Sequence, residues 1–285
     1  MAKPSGREHS KCGEPDAGSA VYLYCLARPR VAAGLRNHLG VDGRNPVSAW
    51  IIRDVAAVTS QVRREEFCGP EAETRLRQLG WLAPRACRHQ AVAEQAMRLS
   101  PILPARLGTL FSSRESLEHF IQEHRAEIRR ALNRVAGKQE WAVKGLLDRK
   151  KAAAHLLLTM PGGGGETLAG SSAGARYLRE QRRLSHAAEA LNAWLKQSCD
   201  DLAESLACLA VDICGRPLWP PLAADQEREM VLNCALLVRP RSLPGLRARI
   251  GRANAKHAGP GLCFELSGPW PPYSFSSFLW NSETT

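Results

Sequence analysis

The sequence predicts an α+β protein of two domains, the second of them ferredoxin-like: a βαββαβ order, an antiparallel sheet with both helices on one face, and a Gly-rich insertion. Three observations lead there. At 285 residues the chain suits two domains of ordinary size. Its 44% hydrophobic and 24% charged residues are those of a globular protein and exclude a mainly disordered chain, a collagen or a small disulfide scaffold. From residue 140 onward the apolar patterning gives strand, helix, strand, strand, helix, strand, the split βαβ order. The expected division is a disordered tail over 1–19, an N-terminal domain over 20–110 and a C-terminal domain over 111–285. The last includes a linking helix, 113–136, and a proline-rich arm.

The tail is rich in Gly, Pro, Ser and charge and lacks an apolar core segment, so it does not read as a secretory signal. Ala20–Ala27 is a continuous apolar run, expected as a buried strand. Val31–Leu39 reads as a short helix ending at Gly40. Val47–Ile52 and Val55–Val62 read as strands turning near Arg53-Asp54. Glu71–Leu82 and Arg85–Leu99 are helical, with Pro84 suited to the first turn of the second, where a missing N–H costs nothing. Ile102–Thr109 is extended, restricted at its start by Pro101 and Pro104.

Ser112 and Glu115 have capping-box spacing. Leu117, Phe120, Ile121, His124, Ile128, Leu132 and Val135 follow at helical spacing, and Gly137 ends the run. The opposite face carries Arg125, Arg129, Arg130 and Arg134 and is read as solvated. Glu140–Asp148 is a strand. Arg149–Ser172, with Gly162 to Gly165, is an insertion with a flexible tip. Ala173–Ala207 is one long helix, with Leu184, Ala188, Leu191, Leu195, Cys199, Leu202 and Leu206 stepping by three and four. Cys208–Ile213 is a strand with Leu209, Val211 and Ile213 on one face. Met230–Val238 is apolar on both faces and so central in its sheet. Ser242–Ala255 is a basic helix and Leu262–Leu266 the last strand. The first half gives a weaker version of the same order, and a duplication stays open. The only sequence repeat is Trp219-Pro220-Pro221 against Trp270-Pro271-Pro272.

The net charge is +11, divided as +6 over residues 1–110 and +5 over 111–285, so the excess is no basic tail. No stretch approaches the roughly 18 apolar residues that a bilayer span needs. Nine cysteines lack C-x-x-C spacing and mostly sit in apolar runs, as buried free thiols in a reducing compartment do. Eight histidines lack H-x-x-x-H and H-x-x-E-H spacing. The glycine run is followed by Glu166 rather than Lys-Ser/Thr, so it is no phosphate loop. Arg239, Arg241, Arg247, Arg249, Arg252 and Lys256 form a basic stripe. It holds no aromatic residue on which bases could stack. Charge and composition leave two alternative functions open, a basic nucleic-acid-binding protein and an unrecognised cytosolic enzyme.

Leu266-Ser-Gly-Pro-Trp-Pro-Pro-Tyr-Ser-Phe275 stands apart. Its three prolines argue against a continuing strand and for polyproline II, from which Trp270, Tyr273 and Phe275 would project. Two readings are open: an arm folding back to seal the sheet, favoured because the run continues a core strand, and a docking surface. The run resembles the C-terminal signature of the gas vesicle accessory family GvpF/GvpL. Three further stretches agree in order. Val21-Tyr22-Leu23-Tyr24 resembles the family's first strand. Leu103 to Phe111 resembles its L-P-x-R-F-G-T-x-F segment, with Leu107 for the usual Phe and Ala105 for a large apolar residue. Glu140-Trp141-Ala142-Val143-Lys144 resembles its E-W-x-V-K strand.

The resemblance spans about residues 20–275. It implies two α+β domains and a non-enzymatic, cytoplasmic, gas-vesicle-associated role in assembly. It implies association with the hydrophobic shell protein GvpA and with other gas vesicle accessory proteins, and no catalytic residue, cofactor or metal. The positions that carry it are Arg106, Gly108, Thr109, Trp141, Gly268, Pro269, Trp270, Pro271, Pro272, Tyr273 and Phe275, as partner-binding or structural residues. Arg106, in an apolar segment, reads as an interdomain ion pair, a carbonyl-capping arginine or a partner contact.

Overall fold

The computed structural model describes residues 18–35, 38–159, 173–218 and 228–280. The chain forms two units. One runs to Arg134 and takes in the chain again from Ser276; the other runs from Val135 to Phe275. Both mix helices with antiparallel sheet.

The first unit holds β1 (Ser19–Ala27), β2 (Ser48–Ile52), β3 (Val55–Arg63), α1 (Arg64–Phe67), α2 (Pro70–Leu76), α3 (Leu79–Leu99), β4 (Ile102–Pro104), β5 (Leu110–Phe111), α4 (Arg114–Glu123) and α5 (Arg125–Val135). Its strand order is β2-β3-β1-β4, with β5 also on β1. The apolar run of β1 is buried because the strand is paired along both edges, by β3 on one and by β4 and β5 on the other. A register shift between Leu23 and Cys25 moves the alternation by one. Tyr22 and Tyr24 before it, and Cys25 and Ala27 after it, therefore reach one core with Val58, Val92, Ala96 and Ile102. The β2–β3 turn places Arg53 at φ +57°, a left-handed position.

The second unit holds β6 (Gln139–Leu147), α6 (Arg149–Thr159), α7 (Ala173–Ala207), β7 (Ala210–Gly215), β8 (Glu229–Val238), α8 (Leu243–His257) and β9 (Leu262–Trp270). Its order is β7-β8-β6-β9. β8 lies inside the sheet, as its two-faced apolar pattern requires. Alternate residues of the strands (Trp141, Val143, Cys234, Leu236, Val238, Leu262, Phe264) form one core with Leu191, Leu202 and Leu206 of α7 and Leu246 and Ile250 of α8. Taken by position in the chain, β1–β4 and β6–β9 have the same strand order. Where the second unit inserts α6 and α7 between its first two strands, the first has, among the described residues, only a short 3-10 helix, Pro29–Gly34.

Several expectations are corrected. The helix over Val31–Leu39 is that 3-10 turn, opened by Pro29. α3 starts at Leu79, so Pro84 lies in its second turn; the amide it lacks would have bonded the Gly80 carbonyl. The capping box is one residue later than expected: Ser113 Oγ accepts from Ser116 N at 3.2 Å, and Ser116 Oγ accepts from Ser113 N at 3.1 Å. Helix 113–136 is two helices, divided at His124, and through Arg134 it belongs to the first unit. Arg149–Ser172 includes α6; its glycine run, residues 1–17 of the tail and Trp219-Pro220-Pro221 lie outside the described residues. Val211 and Ile213 are exposed, because β7 is an edge strand. β9 continues through Pro269 to Trp270, which pairs with Glu140, instead of ending at Leu266. As an edge strand it tolerates a proline, whose absent N–H the sheet does not need there. Of the eight described cysteines, all free, only Cys25, Cys199 and Cys234 are buried; Cys68, Cys87 and Cys208 are exposed.

Candidate functional site

The signature residues fall into two groups, one in each unit. In the first unit, residues 105–109 form a turn fastened to β1. Ala105 N donates to the Tyr24 carbonyl at 2.8 Å, and Leu23 N donates to the Thr109 carbonyl at 3.0 Å. Thr109 donates both its N–H and its hydroxyl to the Arg106 carbonyl, at 3.1 and 2.8 Å. Gly108 sits at φ +87°, which a side chain would strain. Its N–H donates to the Tyr22 hydroxyl at 3.1 Å. That hydroxyl is 2.9 Å from His89 Nδ1, and His89 Nε2 is 3.2 Å from the Ala105 carbonyl. A carbonyl only accepts, so Nε2 carries the proton and Nδ1 accepts from Tyr22. Burial lowers His89 to about 4, which keeps it neutral. Arg106 has an exposed side chain, and its carbonyl is the group that closes the turn.

In the second unit Trp141 is 5% exposed and belongs to the core. Its indole N–H donates to Gln139 Oε1 at 3.2 Å, and the Arg247 guanidinium lies 5.7 Å from its ring centre. Gly268, at φ +146°, lies so close that a Cβ would come within 3.0 Å of the Glu140 carbonyl and of two indole atoms of Trp141. Only glycine lets β9 pass there. The Gly268–Pro269 peptide is cis. Pro269 is exposed and Trp270 is 38% exposed, its indole N–H donating to Ser267 Oγ at 3.3 Å. Pro271, Pro272 and Phe275 are buried, with Tyr273 half-buried between them. Tyr273 N donates to the Pro271 carbonyl at 2.7 Å and Phe275 N to the Pro272 carbonyl at 3.2 Å, so the arm coils into a 3-10 turn where polyproline II was expected.

What holds the arm was not among the expected residues. Glu140 of β6 has a fully buried carboxylate. Its Oε2 accepts from Ser274 N at 3.0 Å, and its Oε1 accepts from Ser274 Oγ at 3.2 Å and from Arg216 Nη2. Arg216 also donates to Ser274 Oγ from Nε at 2.9 Å and from Nη2 at 2.7 Å. Burial pushes Glu140 up to about 7, against Arg216 and the two Ser274 hydrogen bonds, which favour the charged form. Glu140 heads the E-W-x-V-K stretch and Ser274 lies within the C-terminal signature, but nothing in the sequence marked Arg216 or joined the three. Arg216 and Ser274 lie 76 and 134 residues away from Glu140 in the chain. The clasp fixes one segment to another; both carboxylate oxygens are engaged in doing so. Among the described residues no group of three His, Cys, Asp or Glu side chains is placed to hold a metal ion. No described helix is long and apolar enough to cross a membrane.

The family model of gas vesicle synthesis protein GvpL/GvpF matches residues 20–277. Gas vesicle protein L of Streptomyces sp. (strain CB03234) is 30% identical over 269 residues, covering 90% of this chain and 92% of that protein. Among solved structures, the gas vesicle protein GvpF of Anabaena sp. PCC7120 superposes with a TM-score of 0.66 at 18% identity, over 90% of this chain and 98% of that one. GvpF of Microcystis aeruginosa does so with a TM-score of 0.63 at 17% identity and the same coverage. At those identities the two structures establish the likeness of fold.

Proposed function

The chain belongs to the GvpL/GvpF family of gas vesicle proteins, and from that premise we propose that it is a non-enzymatic assembly factor acting in the cytoplasm on forming gas vesicles. Its partners in this reading are the small hydrophobic shell protein GvpA and other accessory proteins. The observation that carries the proposal is the family match over nearly the whole described chain. The physical case is that a small, strongly apolar shell subunit aggregates unless a partner covers it before it joins the wall. The strand order β7-β8-β6-β9 supports reading the second unit as ferredoxin-like, with the Gly-rich insertion in its first crossover. The same order in the first unit supports a duplication.

The signature residues divide by exposure under this proposal. Gly108, Thr109, Trp141, Gly268, Pro271, Pro272, Tyr273 and Phe275 shape and anchor the two segments. Arg106, Pro269 and Trp270 remain outside and are the partner contacts. The test is Trp270→Ala, which removes a partly exposed indole and leaves the core intact. The expected result is an unchanged melting temperature with loss of co-purification with GvpA. Undiminished co-purification by the variant would remove Trp270 from the contact. Deletion of the gene is expected to abolish floating cells. A deletion strain with normal vesicles would overturn an essential assembly role.

A further inference from the structure

In the second unit a cleft of about 360 Å³ opens between α7 and α8. Arg249, Arg252 and Lys256 stand along one side of α8 at helical spacing three and four. Asp201 of α7 is the one acidic side chain in the lining, so the cleft carries a net charge of +2. The positive charge is only partly used. Lys256 Nζ is 4.0 Å from Asp201, whose other oxygen accepts from Gln197, and Arg249 Nη1 donates to the Ser205 carbonyl. Arg252 is exposed and makes no hydrogen bond or ion pair with any described residue.

Two buried polar side chains also line this cleft. Ser198 and His257 are each 5% exposed. Neither makes a hydrogen bond with a described residue. His257 is wedged edge-on between Trp194 and Phe264, 5.6 and 6.2 Å between ring centres, which fixes the plane of its ring. The polar atoms of both side chains are not among the buried atoms left without a partner, so they open onto the cleft, where a molecule seated in it can take them as partners. Burial and Lys256 both lower the His257 pKa, with Asp201 opposing, so the ring meets the cleft neutral, with one donor and one acceptor.

We propose that this cleft binds a small phosphorylated molecule, its phosphate held by Arg249, Arg252 and Lys256 and its hydroxyl or amino groups by Ser198, His257 and Asp201. Two guanidinium forks and an ammonium suit a tetrahedral dianion with several free oxygens better than they suit a single carboxylate. The volume takes a phosphate with a small organic group and is at the low end of ligand sites. Asp201 has no use in a site for bare phosphate, since it repels the anion; it has one if the ligand carries a donor. Arg249, Arg252 and Lys256 also belong to the longer basic stripe that begins at Arg239, which a nucleic acid strand or an acidic polypeptide would use, but neither of those would need the buried Ser198 and His257.

The test is calorimetric titration of the full chain with adenosine 5′-monophosphate, with inorganic phosphate and adenosine as the separate halves, and the His257 ring proton followed by NMR. Saturable binding of the monophosphate is expected, weaker for phosphate and absent for adenosine, with the His257 resonance moving in step. Arg252→Ala, at an exposed position, should leave the melting temperature unchanged and weaken binding about tenfold, the loss of one charge-assisted contact. His257→Asn should also weaken it, with Arg252→Ala deciding if that variant misfolds. Heat that does not saturate, a still His257 resonance, or Arg252→Ala binding as the parent does would each overturn the proposal. So would affinity for single-stranded DNA or polyglutamate that exceeds affinity for the monophosphate and leaves His257 unmoved.

Discussion

Replacing Arg216 by alanine tests the clasp at its most demanding point. In the parent protein the buried Glu140 carboxylate has the Arg216 guanidinium and the N–H and hydroxyl of Ser274 as donors. Arg216→Ala removes the only cation and leaves the charge inside. Breaking a buried pair in this way costs roughly 3–5 kcal/mol when the remaining partner stays ionised. It costs less when that partner can take a proton. Burial already raises Glu140 from 4.5 to about 7, and losing Arg216 raises it further. A carboxyl whose folded pKa is raised contributes stability in full below its unfolded value, and that contribution is lost as pH rises through the folded value. The variant should therefore be destabilised most near pH 8, where Glu140 must be charged to match the unfolded chain, and least near pH 5. Glu140→Gln in the same chain should restore most of the pH 8 loss. Urea denaturation at the two pH values, on the parent, Arg216→Ala and the double variant, measures all three quantities. Equal losses at pH 5 and pH 8, or a double variant no better than the single one, would refute the reasoning.

Gly268→Ala should lower stability by about 2–4 kcal/mol, since it combines an unfavourable φ with a Cβ at 3.0 Å from the Glu140 carbonyl and the Trp141 ring; thermal melting reads it, and an unchanged midpoint would contradict the close approach. His89, held neutral with its pKa at about 4, favours the fold above pH 6.5 and loses that contribution as pH falls from 6.5 toward 4. His89→Gln should flatten the acid limb of the stability curve in that window, in a pH series of denaturation midpoints. Gly108→Ala, at φ +87° with open space around the position, should cost only about 1–2 kcal/mol, and melting measures that smaller loss.

Long apolar runs were legible because burial alone decides them. β1, β8 and α7 lie within two residues of where periodicity put them, and β8 is interior because both its faces are apolar. What was illegible depends on partners distant in the chain. The arm was expected to leave the sheet at its prolines, yet β9 carries Pro269 because β6 needs no donor from it there and Gly268 fits against Trp141. Trp270 was expected to project from a polyproline II segment and instead ends β9, paired with Glu140 and partly exposed. The clasp was invisible for the same reason: no local pattern links a strand glutamate to an arginine beyond β7 and a serine in the arm. The signature motifs marked where the two fastened segments are, while their anchors, His89 and Arg216, lay outside every motif.

The first unit takes in Ser276–Trp280, residues made after the whole of the second. Ser276 Oγ and the Trp280 indole N–H both donate to the Pro104 carbonyl, at 3.1 and 2.9 Å, and the Trp280 ring stacks on Phe120. On the ribosome, then, the unit that is begun first is finished last. A nascent chain long enough to contain all of β1–α5 still lacks the piece that covers Pro104 and Phe120 until the intervening sheet has been synthesised. The order of maturation is thus second unit, then first, the reverse of the order of translation. A chain truncated within the arm consequently forfeits part of the unit with which its synthesis began.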